Sequence, residues 1–353
     1  MKILIVKTSS LGDIIHTFPV LTYLKHRFPQ ASIDWVVEKP FAELVQAHPD
    51  VNRTLCCETK KWRRVFPFFK NLSEMRLLTA QLRQETYDVV FDLQGNAKSG
   101  LLTLATKGLK KVGFGRKTVP EWPNLLATQV HINPEEGRNI QEDYLAIVKT
   151  FFEDTCTEET IASPYLKIKE SERMQVNQLM SRNNAAKTVL VCPGSVWRNK
   201  QLSEQTLQDL LRLIYQRFHC HFLFLWGNAG EQALANQLHQ TFLSHSQVVD
   251  KLSLPALQNL MSEVNLVLSM DSLPLHLAGT TETPTFSVFG ASLGQKYNPI
   301  GTLNQYIQGA CPYGQTFTKR CPALRKCSTG ACIRDLSAEK LFQAFCLHSE
   351  KIL

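Results

Sequence analysis

Apolar positions in this chain fall into short runs separated by stretches of helical periodicity. Ile3 to Val6 is an apolar run of strand length, and the turn Thr8-Ser9-Ser10-Leu11-Gly12 follows it. Ile14, Phe18, Leu21 and Phe28 then recur at helical spacing, with Pro19 expected to interrupt the helix because it offers no N–H and its ring crowds the preceding turn. Ile33 to Val37 predicts a second strand. Val89 to Leu93 predicts another, ending in Gln94-Gly95, and Lys111 to Phe114 one more. From Thr155 to Asn184 the chain is polar and weakly periodic, and the domain boundary is placed there, giving 1–165 and 166–353. The pattern restarts with strand Thr188–Val191, helix Ser203–Phe218, strand His221–Leu225 and helix Ala229–Leu243. A short strand Gln247–Val249, helix Pro255–Ser262, strand Asn265–Ser269, helix Ser272–Gly279 and strand Thr285–Phe289 complete it.

Alternation of this kind predicts an α/β protein with parallel sheets covered by helices. Two such units in tandem predict two doubly wound, Rossmann-like domains facing each other, with ligands bound beyond the carboxyl ends of the strands in a central cleft. A length of 353 residues agrees, since single cores stop growing before this size.

Composition adds little to the fold but narrows the partners. Hydrophobic residues make up 44% and charged residues 20%, which excludes long disordered stretches. No apolar run is long enough to span a bilayer, and MKILIVKTSS reads as a first strand rather than a signal peptide, so a cytoplasmic location is expected. The formal net charge of +8 favours an acidic partner: a nucleotide, an anionic membrane surface or a nucleic acid. Basic residues cluster in Lys60-Lys61-Trp62-Arg63-Arg64 and from Lys107 to Lys117, where the alternative is a solvated face. No nucleic-acid motif is present and the basic residues are dispersed, which argues against a nucleic acid. Four of the 10 cysteines lie close together as Cys311-x9-Cys321-x5-Cys327-x4-Cys332. The spacing is irregular and contains no His, so it fits structural zinc poorly, and free or partly paired thiols are expected.

Four segments carry candidate chemistry, each placed after a strand. In Lys7-Thr8-Ser9-Ser10-Leu11-Gly12-Asp13, small and hydroxylated residues open a helix and leave backbone N–H groups for an anion, while Asp13 serves either as a cap or as a reactive carboxylate. In Pro193-Gly194-Ser195-Val196-Trp197-Arg198-Asn199-Lys200 a tight turn precedes a lysine that is either a surface residue or a point charge for a phosphate. In Trp226-Gly227-Asn228-Ala229-Gly230-Glu231 the carboxylate either accepts from ribose hydroxyls or favours a helix start. In Met270-Asp271-Ser272 with His276 one turn on, a second helix N-terminus is available to a phosphate, and the histidine alone is more often structural. Nothing matches a Walker A loop or a G-x-G-x-x-G fingerprint, which disfavours an ATPase or a dehydrogenase. No Asp-x-Asp occurs, so no anchor for a metal–nucleotide-sugar complex is expected.

Taken in order, these segments resemble the bacterial lipopolysaccharide heptosyltransferases, especially the type that adds the first heptose. Ile33-Asp34-Trp35-Val36-Val37-Glu38, Phe41-Ala42, His48-Pro49, Lys61-Trp62-Arg63-Arg64 and Asp92-Leu93-Gln94-Gly95 with Lys98-Ser99 extend the likeness over nearly the whole chain. The resemblance implies a GT-B fold, with an acceptor-binding first domain, a donor-binding second domain, and a C-terminal helix packed back on the first. It implies inverting transfer of heptose from ADP-heptose to a Kdo-lipid A or lipopolysaccharide core acceptor, in transient contact with the inner membrane and without cofactor or metal. Asp13 would be the general base and Lys200 the partner of the leaving diphosphate. Ser195, Glu231, Asp271, Ser272 and His276 would surround the donor, and Ser10, Arg63, Arg64 and Lys98 would face the acidic acceptor.

Overall fold

The computed structural model describes residues 1–59, 72–155, 164–181, 187–350 and 352–353. The chain forms two compact units, Met1–Lys167 and Ile168–Leu353. The first holds β1 (Lys2–Val6), β2 (Ser32–Glu38), β3 (Arg53–Cys57), β4 (Thr86–Asp92), β5 (Lys107–Phe114) and β6 (Val130–Ile132), in the order β3-β2-β1-β4-β5-β6. The second holds β7 (Thr188–Cys192), β8 (His221–Phe224), β9 (Ser246–Val248), β10 (Leu266–Met270), β11 (Thr285–Phe289) and β12 (Asn304–Gln308), in the order β12-β11-β10-β7-β8-β9. Every strand pairing is parallel. Numbered within its own unit, each sheet reads 3-2-1-4-5-6, the Rossmann winding, whose chain direction reverses between the first and fourth strands.

The central strands are buried along nearly their whole length: β7, β8, β10 and β11 present no exposed residue, and β1 only its first. Strands covered on both faces read as unbroken apolar runs, which is why these segments are legible. The edges are different. β3 (RTLCC), β6 (VHI) and β12 (NQYIQ) are half-buried and mixed in polarity, and the periodicity assigns none of them.

The helical stretch is interrupted just before Pro19, as expected: helix Leu11–Ile15 ends, and Pro19 stands in the first turn of a second helix, Phe18–Arg27, where a missing N–H costs nothing. The polar stretch assigned to the boundary contains the helix Glu170–Ser181. The C-terminal helix Ala338–Ser349 lays its apolar face on the core of its own unit. Leu341 and Phe345 are fully buried, and Phe345 meets Phe286 at 5.4 Å and Phe218 at 5.9 Å, edge to face. Burying one such ring stabilises the unit by roughly 1.5–3 kcal/mol. Among the described residues no helix is long and apolar enough to cross a membrane.

Candidate active site

The winding reversal of the first sheet lies between β1 and β4, where Val6 pairs with Asp92 and the two chains leave side by side. Lys7 is buried there. Its Nζ donates to the Leu93 carbonyl (2.8 Å) and to the Tyr144 hydroxyl (2.7 Å). Burial pulls the Lys7 ammonium down to about 8, against the opposing pull of Asp13 and Asp92. The buried Trp35 indole donates to the Lys7 carbonyl (2.9 Å), so the aromatic of β2 fixes the start of the turn. Gln94 clamps the same turn: its Oε1 accepts from Thr8 N and Ser9 N, both at 3.0 Å. Asp92 shapes the Gln94-Gly95 turn by accepting from Gln94 N (3.1 Å), Gly95 N (2.9 Å), Thr103 (3.1 Å) and Asn124 (2.6 Å). Gly95 sits at φ +73°, and a Cβ there would lie 2.5 Å from Pro120 Cδ, so glycine is required.

Asp13 lies on this clamped turn. Its Oδ2 accepts from Ser10 N (3.1 Å) and Ser10 Oγ (2.7 Å), so the carboxylate does cap its helix and holds Ser10 in place. It is only half-buried. The helix is five residues long, so its dipole offers an anion less than a full helix would. Lys98, half-buried in the first turn of helix Ala97–Ala105, follows the Gln94-Gly95 turn; Asn96 caps that helix by accepting from Ser99 N (2.9 Å).

The second unit repeats the plan, with the β7 and β10 loops at its reversal. Lys200 is not a surface residue. It is 8% exposed, and its Nζ meets Asp271 Oδ2 at 2.6 Å. His276 Nε2 lies 3.8 Å from the other oxygen of the same carboxylate. Burial pushes the Asp271 carboxyl up, but the Lys200 ammonium and then His276 outweigh it and hold the group below its usual range. Ser195 Oγ donates to the Asp271 carbonyl (3.4 Å), joining the two loops, and Ser272, at the start of helix Leu273–Ala278, donates from Oγ to the Met270 carbonyl (3.3 Å); that helix is only six residues long.

Glu231 bridges the β7 and β8 loops. Its Oε2 accepts from Gly227 N (2.8 Å), and a Cβ on Gly194 would lie 2.3 Å from its carboxyl carbon, so the carboxylate rests on glycine backbone. Asn199, next to Lys200, donates to the carbonyls of Leu324 (2.6 Å) and Cys327 (3.3 Å). The late cysteine segment therefore buttresses the Lys200 loop, a role its spacing did not suggest. Cys311, Cys321, Cys327 and Cys332 are unpaired by disulfides and line one cavity of about 40 Å³. Among the described residues no three His, Cys, Asp or Glu side chains stand in metal-ligand geometry.

The structure thus gathers Ser10 and Asp13 on one turn of the first unit, with Lys98 beyond the neighbouring strand. It gathers Ser195, Lys200, Asp271, Ser272 and His276 at the reversal of the second, with Glu231 on the adjacent loop. Arg63 and Arg64 lie outside the described residues. Lys7, Asp92, Gln94 and Asn199 carry positioning contacts that the sequence pattern alone does not assign. A lysine ending an apolar strand was the available signal for the first.

The family model of glycosyltransferase family 9 (heptosyltransferase) matches residues 75–326. Lipopolysaccharide heptosyltransferase 1 of Pseudomonas aeruginosa is 28% identical over 322 residues, which covers 91% of this chain and 87% of that protein. The protein of the same name from Escherichia coli K12 is 25% identical over 295 residues, covering 82% and 88%. Among solved structures, E. coli heptosyltransferase WaaC with ADP matches with a TM-score of 0.78 at 21% identity, over 99% of this chain and 100% of that one. E. coli ADP-heptose lps heptosyltransferase II matches with a TM-score of 0.73 at 18% identity, over 99% of both. At these identities the structural likeness speaks to the fold, which is GT-B.

Proposed function

The chain belongs to glycosyltransferase family 9, the heptosyltransferases, and on that premise we propose that it moves heptose from ADP-heptose to a Kdo residue of the lipopolysaccharide inner core, with inversion. It is a glycosyltransferase. The observation that carries the finer reading is the buried Lys200–Asp271–His276 cluster at a winding reversal, the place where doubly wound sheets take their ligands. Inverting transfer needs a base for the attacking hydroxyl and positive charge for the departing diphosphate.

In this reading Asp13 takes the proton of the acceptor hydroxyl as its oxygen attacks the anomeric carbon. The bond to the diphosphate oxygen breaks, and Lys200 meets the charge that develops there. Asp271 keeps the Lys200 ammonium aimed and accepts from donor hydroxyls, with His276 beside it. Ser195 and Ser272 donate to phosphate oxygens, and Glu231 accepts from the ribose. Lys98, Ser10, Arg63 and Arg64 hold the acidic acceptor. Lys7 and Gln94 are positioning residues that lock the turn carrying Asp13. The enzyme acts in the cytoplasm and meets its lipid-anchored acceptor at the inner membrane surface.

The absence of Asp-x-Asp together with a buried lysine assigns the leaving-group charge to the protein itself. Calorimetry and transfer assays run in EDTA should therefore give the same ADP-heptose affinity and rate as in untreated buffer. Loss of either on chelation, restored by Mg²⁺ or Mn²⁺, contradicts this reading. Loss restored only by zinc redirects attention to the late cysteines.

A further inference from the structure

Exposed large apolar side chains concentrate on one face of the first unit. Leu101 (65% exposed) and Leu104 (50%) stand on helix Ala97–Ala105, and Trp122 (69%) and Leu126 (73%) on the 3-10 turn Trp122–Ala127. The two elements are packed together: a Cβ on Gly100 would lie 3.3 Å from Ala127 Cβ and 3.4 Å from Asn124 Cα. Leu104, one turn on from Gly100, borders the seam between them, so the exposed side chains of the two elements adjoin there. Leu109 (64%) extends this set, because β5 side chains alternate and Lys111, on the same sheet face, donates from Nζ to the Leu104 carbonyl (3.3 Å). Scattered exposed leucines need no explanation, but a contiguous set of four leucines and a tryptophan on adjoining elements marks an interaction site.

Its charge selects the partner. Residues 98 to 120 carry Lys98, Lys107, Lys110, Lys111, Arg116 and Lys117 and not one Asp or Glu. Glu121, the next acid, is exposed beside Trp122, where its carboxylate accepts from Ala97 N (2.9 Å). An apolar strip with an interfacial tryptophan, set in a segment 98–126 that carries six basic residues against the single carboxylate Glu121, suits an anionic lipid headgroup layer, where apolar contact and charge attraction add. A second copy of the chain would bring the same positive charge to the contact and be repelled. Lys98 lies three residues before Leu101 on the same helix, so a lipid surface held here runs alongside the candidate acceptor contact.

We propose that the strip Leu101, Leu104, Leu109, Trp122 and Leu126, with its lysine border, is the surface by which this enzyme docks on an anionic bilayer. The docking needs no acceptor, although its purpose rests on the lipid-anchored acceptor proposed above. The probe is co-sedimentation of the full chain with vesicles of phosphatidylglycerol and phosphatidylethanolamine, against vesicles of phosphatidylcholine alone. The native protein should bind the anionic vesicles, and binding should weaken steeply with salt. Trp122→Ala with Leu126→Ala, and separately Lys107→Glu with Lys111→Glu, should each weaken that binding about tenfold or more. Circular dichroism and transfer to a soluble, deacylated acceptor should stay unchanged in both. Unchanged vesicle binding in both variants overturns the proposal, as does a native protein that ignores anionic vesicles. A native dimer in sedimentation velocity that the apolar variant disperses, without vesicle binding, assigns the strip to a second copy instead. Vesicle binding lost in the variants while the native protein transfers no sugar to any acceptor leaves this surface standing and removes the proposed reaction.

Discussion

Asp13→Asn is expected to leave ADP-heptose affinity nearly unchanged and to cut turnover by about 10²-fold or more, the usual scale for losing a general base. The asparagine is the informative change because of the geometry around it. Asp13 Oδ2 accepts from both Ser10 N and Ser10 Oγ, and an amide oxygen continues to accept from them. The turn also has independent anchors in Gln94 and Trp35, so its shape does not depend on the charge at position 13. A drop in turnover with an unchanged melting temperature then reports chemistry. Asp13→Ala would mix that loss with a lost cap of about 1 kcal/mol. Native turnover in the asparagine variant would take Asp13 out of the mechanism and leave it a capping residue.

Lys200→Ala should have two large effects that can be separated. Removing the cation that meets the leaving diphosphate should lower turnover by about 10²- to 10³-fold and weaken donor binding. It also strands Asp271, a carboxylate 6% exposed, without its 2.6 Å partner, and breaking a buried pair in this way costs about 3–5 kcal/mol. The pH dependence identifies the second effect. In the native protein the Asp271 carboxyl is held below its usual range, so the unfolded chain binds more protons, and this contribution to stability is lost as pH falls through the depressed folded value. In Lys200→Ala burial dominates and pushes the same carboxyl up, so the folded state binds more protons and the variant's relative stability improves as pH falls. Lys200→Met with Asp271→Asn should recover most of the stability but not the activity. An alanine variant as stable and as active as the native protein would return Lys200 to the status of an ordinary loop lysine.

How much of this was legible depends on burial. The central strands β1, β2, β7, β10 and β11 are covered on both sides, and their apolar runs point to them directly. The edge strands β3, β6 and β12 pay no penalty for polar residues on their open side, so the same signal fails there. The apolar runs do not mark helix Ile140–Phe151, although Asn139 and Glu142 form a capping box three residues apart that signals its start. At the site, placement after strands was readable, because a strand end is a local event. That Lys200 is buried against Asp271, 71 residues away, was not readable, since it follows from β7 and β10 being neighbours in the sheet. The same holds for Asn199 resting on the carbonyls of the cysteine segment. Arg63 and Arg64 fall outside the described residues, and their acceptor role stands on the resemblance alone.

The reaction itself is tested most directly by incubating the purified chain with ADP-heptose and Kdo-lipid A and identifying the products by mass spectrometry. The account predicts one heptose added to the Kdo residue, with release of ADP, in native protein and almost none in Asp13→Asn over the same time. Transfer of a different sugar, or no transfer with ADP-heptose intact, would contradict it.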